Sequence, residues 1–182
     1  MPIGTNNNKT NQQTKIMAFD AYLKIDSIPG ECTDKGHEQW IQLLAFNHGV
    51  TQPHATGVAG GGSRGGVERC DHQDFTIVKY IDKSTPKLNL HCCNGKNLNK
   101  VKVEICKQSD SKVAYMTYEF ETCLIRSVAI SGTPGGSGNV PSEQVNFSYA
   151  KINWKYTEVD PKSNQPKGNS VSYWDMLTNT GG

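Results

Sequence analysis

Long apolar runs are missing from this 182-residue chain. None approaches the roughly 20 consecutive apolar residues that a membrane-spanning helix needs, so insertion into a membrane through a helix is not expected. A strong charge bias is missing too. Charged residues make up 20% and the net charge is +2, which gives no electrostatic drive toward nucleic acid. The first residues, MPIGTNNNKTNQQTKI, lack the apolar centre of a secretory signal. Synthesis in the cytosol is therefore expected, and export remains open only to a route without a cleaved peptide. No internal repeat is visible. The Gly-rich stretch near the middle lacks a following Gly-Lys-Ser/Thr and a helix directly behind it, which excludes a phosphate cradle.

What is present is mostly strand and turn. Residues 1–16 are Asn, Gln, Thr and Lys with almost nothing to bury, and read as a disordered extension. Met17 is an alternative start, and 17–182 fits one domain. Phe19, Ala21, Leu23 and Ile25 alternate with Asp20, Tyr22 and Lys24, predicting a strand whose first set faces the core. Pro29-Gly30 turns the chain. Trp40 to Val50 is apolar on both parities and predicts one strand covered on both faces. Val101 to Cys106 and Ala114 to Phe120 predict a hairpin, and Cys123 to Ser131 a further strand. Gln144 to Tyr156 changes phase, which predicts a bulge or bend near Ala150. After a polar linker, Val171 to Leu177 is the last strand, and no further domain is expected beyond it. About eight regularly spaced strands argue for a β-barrel or two packed sheets.

One stretch departs from this pattern: FTIVKYIDKSTPKLNLHCCNG, Phe75 to Gly95. Its first residues are a strand. Ser84-Thr85-Pro86 then offers a hydroxyl cap and a proline for the first helical turn, and Gly95 a left-handed stop. A single helix in a β protein covers a sheet face, a barrel end or an interface, and Leu88 lies on its most apolar side. Just upstream, TQPHATGVAGGGSRGGVER (Thr51 to Arg69) is long and without apolar anchors. It is either a flexible surface loop or a protruding hairpin that orders on another subunit.

No chemistry-bearing set stands out. The six cysteines, Cys32, Cys70, Cys92, Cys93, Cys106 and Cys123, read as free thiols by default, most of them buried. Cys70-Asp71-His72 and His91-Cys92-Cys93 lack zinc-ligand spacing, leaving only a composite of the two. Cys32 with His37, or Cys106 with a distant His, could pair as nucleophile and base, but nothing marks an oxyanion hole. Glu119 and Glu121 read as a solvated strand face. Tyr115, Tyr118, Trp154 and Tyr156 could form a stacking platform, but about half are needed in the core. No catalytic, cofactor-binding or metal site is expected.

KYIDKSTPKL, behind a Gly-rich loop and ahead of a small-residue helix, resembles the hemolysin-coregulated protein family, as does the opening MAFDAYLKIDSIPGE (Met17 to Glu31). The resemblance covers roughly Met17 to Thr178. It implies a mainly β fold: a β-barrel of two packed antiparallel sheets with one short flanking α-helix and an extended Gly-rich loop. It implies hexameric rings of this chain, stacked into the inner tube of a bacterial type VI secretion system. A contractile sheath, a spike protein and secreted effectors would be partners. Synthesis and assembly would be cytoplasmic, with export to the extracellular space or a target cell. By that resemblance the ring-stacking loop is Val58, Gly60, Gly61, Gly62, Ser63, Arg64, Gly65, Gly66, Val67, Glu68 and Arg69. The flanking helix offers Pro86, Leu88, Leu90 and Cys92. A small β-barrel ligand-binding module and a thiol- or metal-dependent enzyme are the alternatives.

Overall fold

The computed structural model describes residues 19–53, 69–108, 112–135, 140–160, 163 and 165–182. The elements, in chain order, are β1 (Phe19–Ile25), β2 (Ile41–Leu43), β3 (Ala45–Asn47), β4 (Val50–Thr51), β5 (Asp71–His72), β6 (Phe75–Tyr80), α1 (Thr85–Asn94), β7 (Leu98–Lys107), β8 (Ala114–Ser131), β9 (Ser142–Ser148), β10 (Lys151–Val159), β11 (Pro166–Asp175) and β12 (Thr180–Gly181). All pairing is antiparallel. One sheet runs β12-β11-β10-β8-β7-β1-β2, and a second runs β3-β6-β9-β8.

The two sheets share β8. Its first half pairs with β7 and β10, and its second half, from Leu124, pairs with β9. The switch falls at Thr122, whose φ of 55° turns the strand without ending it. The sequence reading places two strands here; the structure has one strand of 18 residues with a corner in it. The phase change at Ala150 is the matching corner. There β9 leaves the second sheet and β10 enters the first, and the Ala150 N–H donates to the Glu121 carbonyl at 3.0 Å. On the other side, the expected single strand Trp40–Val50 is three short ones. β2 pairs with β1, β3 pairs with β6, and Leu44 between them donates to the Val78 carbonyl at 2.8 Å. The chain thus turns three corners, and the antiparallel sheets enclose the core between them.

That core holds Leu23, Ile41, Phe75, Ile77, Val103, Phe120, Phe147 and Ile152. Phe75, Phe120 and Phe147 meet at centroid separations of 4.9 to 5.4 Å, a range in which aromatic pairs add to simple burial. Helix α1 contributes Leu88, which is fully buried. Gly95 closes the helix at φ 62° as its sequence predicts, but the Ser84 side chain makes no capping hydrogen bond. Gly30 is required at its turn, because a Cβ there would lie 2.3 Å from the Trp40 carbonyl oxygen. The strand β1 corrects the sequence pattern. Phe19 is 52% exposed, whereas Tyr22, on the supposed solvent face, is buried. The segment between Cys32 and Trp40 folds over that outer face and covers it.

Candidate assembly interface

The motif at the start of the helix is a buried ionic junction. β6 alternates, so Phe75, Ile77 and Lys79 share its inward face. Lys79 is thereby carried inside, opposite Glu143 of β9. Its ammonium lies 2.6 Å from Glu143 Oε1 and 2.8 Å from Asp82 Oδ1, and donates to the Tyr80 carbonyl at 2.7 Å. The backbone N–H and hydroxyl of Ser84 both donate to Asp82 Oδ1. The Thr85 hydroxyl donates to Glu143 at 2.8 Å and accepts from the Asp82 N–H at 3.1 Å. Burial raises the Asp82 carboxyl pKa, but Lys79 and Ser84 outweigh it and hold the group ionised. The hydroxyl residues that read as helix caps instead lock the helix onto β6 and β9.

This junction fixes which way α1 faces. Leu88 and His91 point inward, and Cys92 is half-buried against the core. Pro86, Leu90 and Cys93 form an outward stripe at i, i+4 and i+7, with Leu90 58% exposed. Of the four helix residues singled out by sequence, Leu88 and Cys92 belong to the core side and Pro86 and Leu90 to the outer one.

The Gly-rich loop from Val58 to Glu68 lies outside the described residues; Arg69 is described and exposed. The base of the loop is the β4–β5 ladder, with Val50 opposite His72 and Thr51 opposite Asp71. The Tyr149 hydroxyl, at the β9–β10 corner, meets His48 Nε2 and, at 3.1 Å, His72 Nδ1. Burial lowers the pKa of both imidazoles; His72 depresses His48 further, and Asp71 partly offsets the effect at His72.

Two separate sets of apolar side chains are left exposed, one where the chain passes from β2 to the second sheet and one near the β12 end of the seven-stranded sheet. Leu44, Tyr80 and Ile81 border a groove of about 290 Å³ beside β2. Val171, Tyr173 and Leu177 lie on and just beyond β11.

The sequence candidates for chemistry mostly disperse. His91 Nδ1 meets the Lys87 carbonyl of its own helix at 2.8 Å, while His72 meets Tyr149, so the Cys70–His72 and His91–Cys93 composite is not assembled. All six thiols are free, but only Cys106 and Cys123 are buried; Cys32, Cys70 and Cys92 are half-buried and Cys93 is exposed. Cys106 does find a distant histidine, His37, at 3.8 Å. Burial, with Glu104 and Asp20 nearby, pushes that thiol up to about 12, so it is no nucleophile at neutral pH. Glu119 and Glu121 are each paired with a lysine, Lys102 at 3.6 Å and Lys151 at 3.4 Å. Tyr118 and Trp154 pack against the core.

The fold as a whole recurs in solved structures. The family model described as "Type VI secretion system effector, Hcp" matches residues 22–156. The chain belongs to the Hcp family. It is 32% identical to Protein hcp1 of Pseudomonas aeruginosa over 165 residues, which cover 90% of this chain and 98% of that protein. The Major exported protein of the same species is 28% identical over 137 residues, 72% of this chain and 76% of that one. A solved structure described as that of a type six secretion system protein superposes with a TM-score of 0.82 at 29% identity. It covers 91% of this chain and 100% of that one. The Hcp match therefore includes the Lys79 junction and all of α1, while the fold likeness extends over most of the described chain. As a member of this family the chain is a secreted tube protein of type VI secretion.

Proposed function

We propose that this chain forms hexameric rings that stack into the inner tube of a type VI secretion apparatus and carry effectors through the lumen. The observation that carries the reading is a pair of separate exposed apolar patches, Leu44–Tyr80–Ile81 where the chain passes from β2 to the second sheet and Val171–Tyr173–Leu177 on and just beyond β11. A closed ring uses a heterologous interface, with one patch on each side of the subunit repeated until rotation closes. Residues 17–182 act as one assembling domain, with residues 1–16 as an appendage. The loop from Val58 to Arg69 reaches the next ring, its base held by the β4–β5 ladder. The Pro86–Leu90 stripe of α1 faces a neighbouring subunit. The role is steric and mechanical rather than catalytic. Sheath, spike and effector proteins are the partners, and the protein is assembled in the cytoplasm before export.

Electron microscopy of the purified chain tests this. Six-fold rings and stacked tubes are expected, and a chain that remains monomeric at high concentration overturns the reading. Deleting Gly60 to Gly66 should leave single rings but abolish stacking. Tubes that survive the deletion remove the loop from the stacking contact.

A further inference from the structure

The outer face of the seven-stranded sheet carries a cluster separate from the Lys79 junction and from the exposed apolar patches. Glu104 and Cys106 are two apart on β7, so both side chains leave the sheet on the side opposite Val103 and Ile105. Their neighbours on β1 are Tyr22 and Asp20. The turn between β1 and β2 lays His37 over them. That turn is closed by backbone bonds from the Cys32 N–H to Trp40 at 3.0 Å and from the Gln39 N–H to Cys32 at 2.8 Å.

We infer that His37, Glu104 and Cys106 form a binding site for one borderline-soft dication of the zinc class. Among the described residues this is the one group of three or more His, Cys, Asp or Glu side chains whose ligand atoms converge, all within 4.8 Å of one another. His37 Nε2 lies 2.8 Å from Glu104 Oε2 and 3.8 Å from Cys106 Sγ. Tetrahedral zinc, with bonds of about 2.0 to 2.3 Å, holds neighbouring ligand atoms roughly 3.2 to 3.7 Å apart. Shifts of a few tenths of an ångström to about one ångström therefore admit the ion. One nitrogen, one carboxylate and one thiolate form a donor set that favours such an ion over magnesium or calcium, and three protein ligands leave a fourth position open.

The cluster is also oriented. The Tyr22 ring stacks on the His37 imidazole at 4.1 Å, and Trp40 meets its edge at 4.8 Å. The Lys102 ammonium holds the other Glu104 oxygen, Oε1, at 2.7 Å, which leaves Oε2 aimed at the centre. Cys106 is fully buried, but on this polar face rather than among the apolar residues that surround Cys123. The other charged groups nearby are Asp20, Asp34 and Lys112, and Lys112 is paired with Asp34.

Binding has a defined proton balance. The Cys106 thiol gives up its proton to solvent as sulfur becomes a ligand. In the ion-free fold the His37 Nε2–H donates to the Glu104 carboxylate. On binding this proton passes to Nδ1, a buried atom without a hydrogen-bond partner among the described residues, and Nε2 presents its lone pair. With the imidazole neutral throughout, one proton, that of the Cys106 thiol, is released per ion bound, and affinity rises with pH.

The test uses the metal-stripped full-length chain and two probes, Zn(II) by calorimetry and Co(II) by absorption. One equivalent of Zn(II) is expected to bind. Co(II) should give tetrahedral d–d bands with a thiolate-to-cobalt charge-transfer band. Cys106→Ser should abolish that band, and Glu104→Gln, which can still hydrogen-bond His37, should weaken binding about 10-fold or more. Lys102→Met should weaken it roughly 10- to 100-fold, as loss of an orienting partner does. Cys70→Ser should change nothing. No charge-transfer band in the native chain, or a band undiminished in folded Glu104→Gln, overturns the site. The outcome is independent of ring formation, which electron microscopy reads separately.

Discussion

Two polar clusters sit in this molecule, and they are built in opposite ways. The junction of Lys79, Asp82, Ser84, Thr85 and Glu143 lies inside the fold, where helix, β6 and β9 meet. Four of its five residues fall within seven consecutive positions. The cluster of His37, Glu104 and Cys106 lies on the outer sheet face under a turn, with His37 67 positions away from Glu104. In the first, a buried ammonium is matched by two carboxylates and its remaining proton goes to a carbonyl. In the second, one carboxylate oxygen and one sulfur converge on one imidazole nitrogen. A charge-saturated cluster fastens elements together; a cluster of converging donors is suited to receive an ion.

The contrast can be broken or sharpened by experiment. The largest effect is expected from Leu88→Asp, which removes the helix's anchor beneath the junction and buries a carboxylate in its place. A cost above about 5 kcal/mol should leave little soluble folded protein. A soluble variant with native circular dichroism would show that the helix does not depend on this face. Next is Lys79→Met, which strands Glu143 and Asp82 without their cation. A loss of about 3–5 kcal/mol in denaturant unfolding is expected, and most of it should return when Glu143→Leu is added. If the single variant is as stable as the parent, the junction is not the fastening element. Glu104→Gln in the metal-free chain should cost only about 1–2 kcal/mol, because it weakens a hydrogen bond without removing it.

The smallest effect is in pH. His48 and His72 have lowered values in the fold, so their neutral forms are favoured. Their contribution is complete above the ordinary imidazole value of 6.5 and is lost as pH falls from there through the lowered values. Asp82 and Glu104 are also held low. Burial raises both, but Lys79 and Ser84 outweigh it at the first, and Lys102 and His37 at the second. Their contribution is lost only further down, below the ordinary carboxylate range. Hydrogen exchange on acidification should therefore show the β4–β5 ladder loosening before either cluster does.

How much of this was legible in the sequence follows from the same contrast. KYIDKSTP could be recognised because its residues are contiguous, and the strand, helix and Gly95 stop around it follow from local chemistry. The corner at Ala150 was visible as a change of phase. The pattern puts Tyr22 on its correct face but not its burial, because alternation tells which residues share a face and not what covers it. The shared strand β8 was cut in two because Thr122 takes a backbone conformation uncommon for a β-branched residue. His37 with Glu104 and Cys106 left only the general prospect of a cysteine finding a distant histidine. Their meeting depends on the register of β1 against β7 and on a turn folded back over both. The two apolar patches are beyond pattern reading, since the exposure of Leu44 or Val171 is set by which strands lie beside them.

The corner in β8 has a mechanical meaning. Eighteen residues run unbroken from one sheet into the other. A force applied to either sheet therefore reaches the other along covalent bonds, and not only through side chains that can slide past one another. A subunit pushed from behind by its neighbours would resist shear between its layers in the way a folded plate resists better than two loose ones.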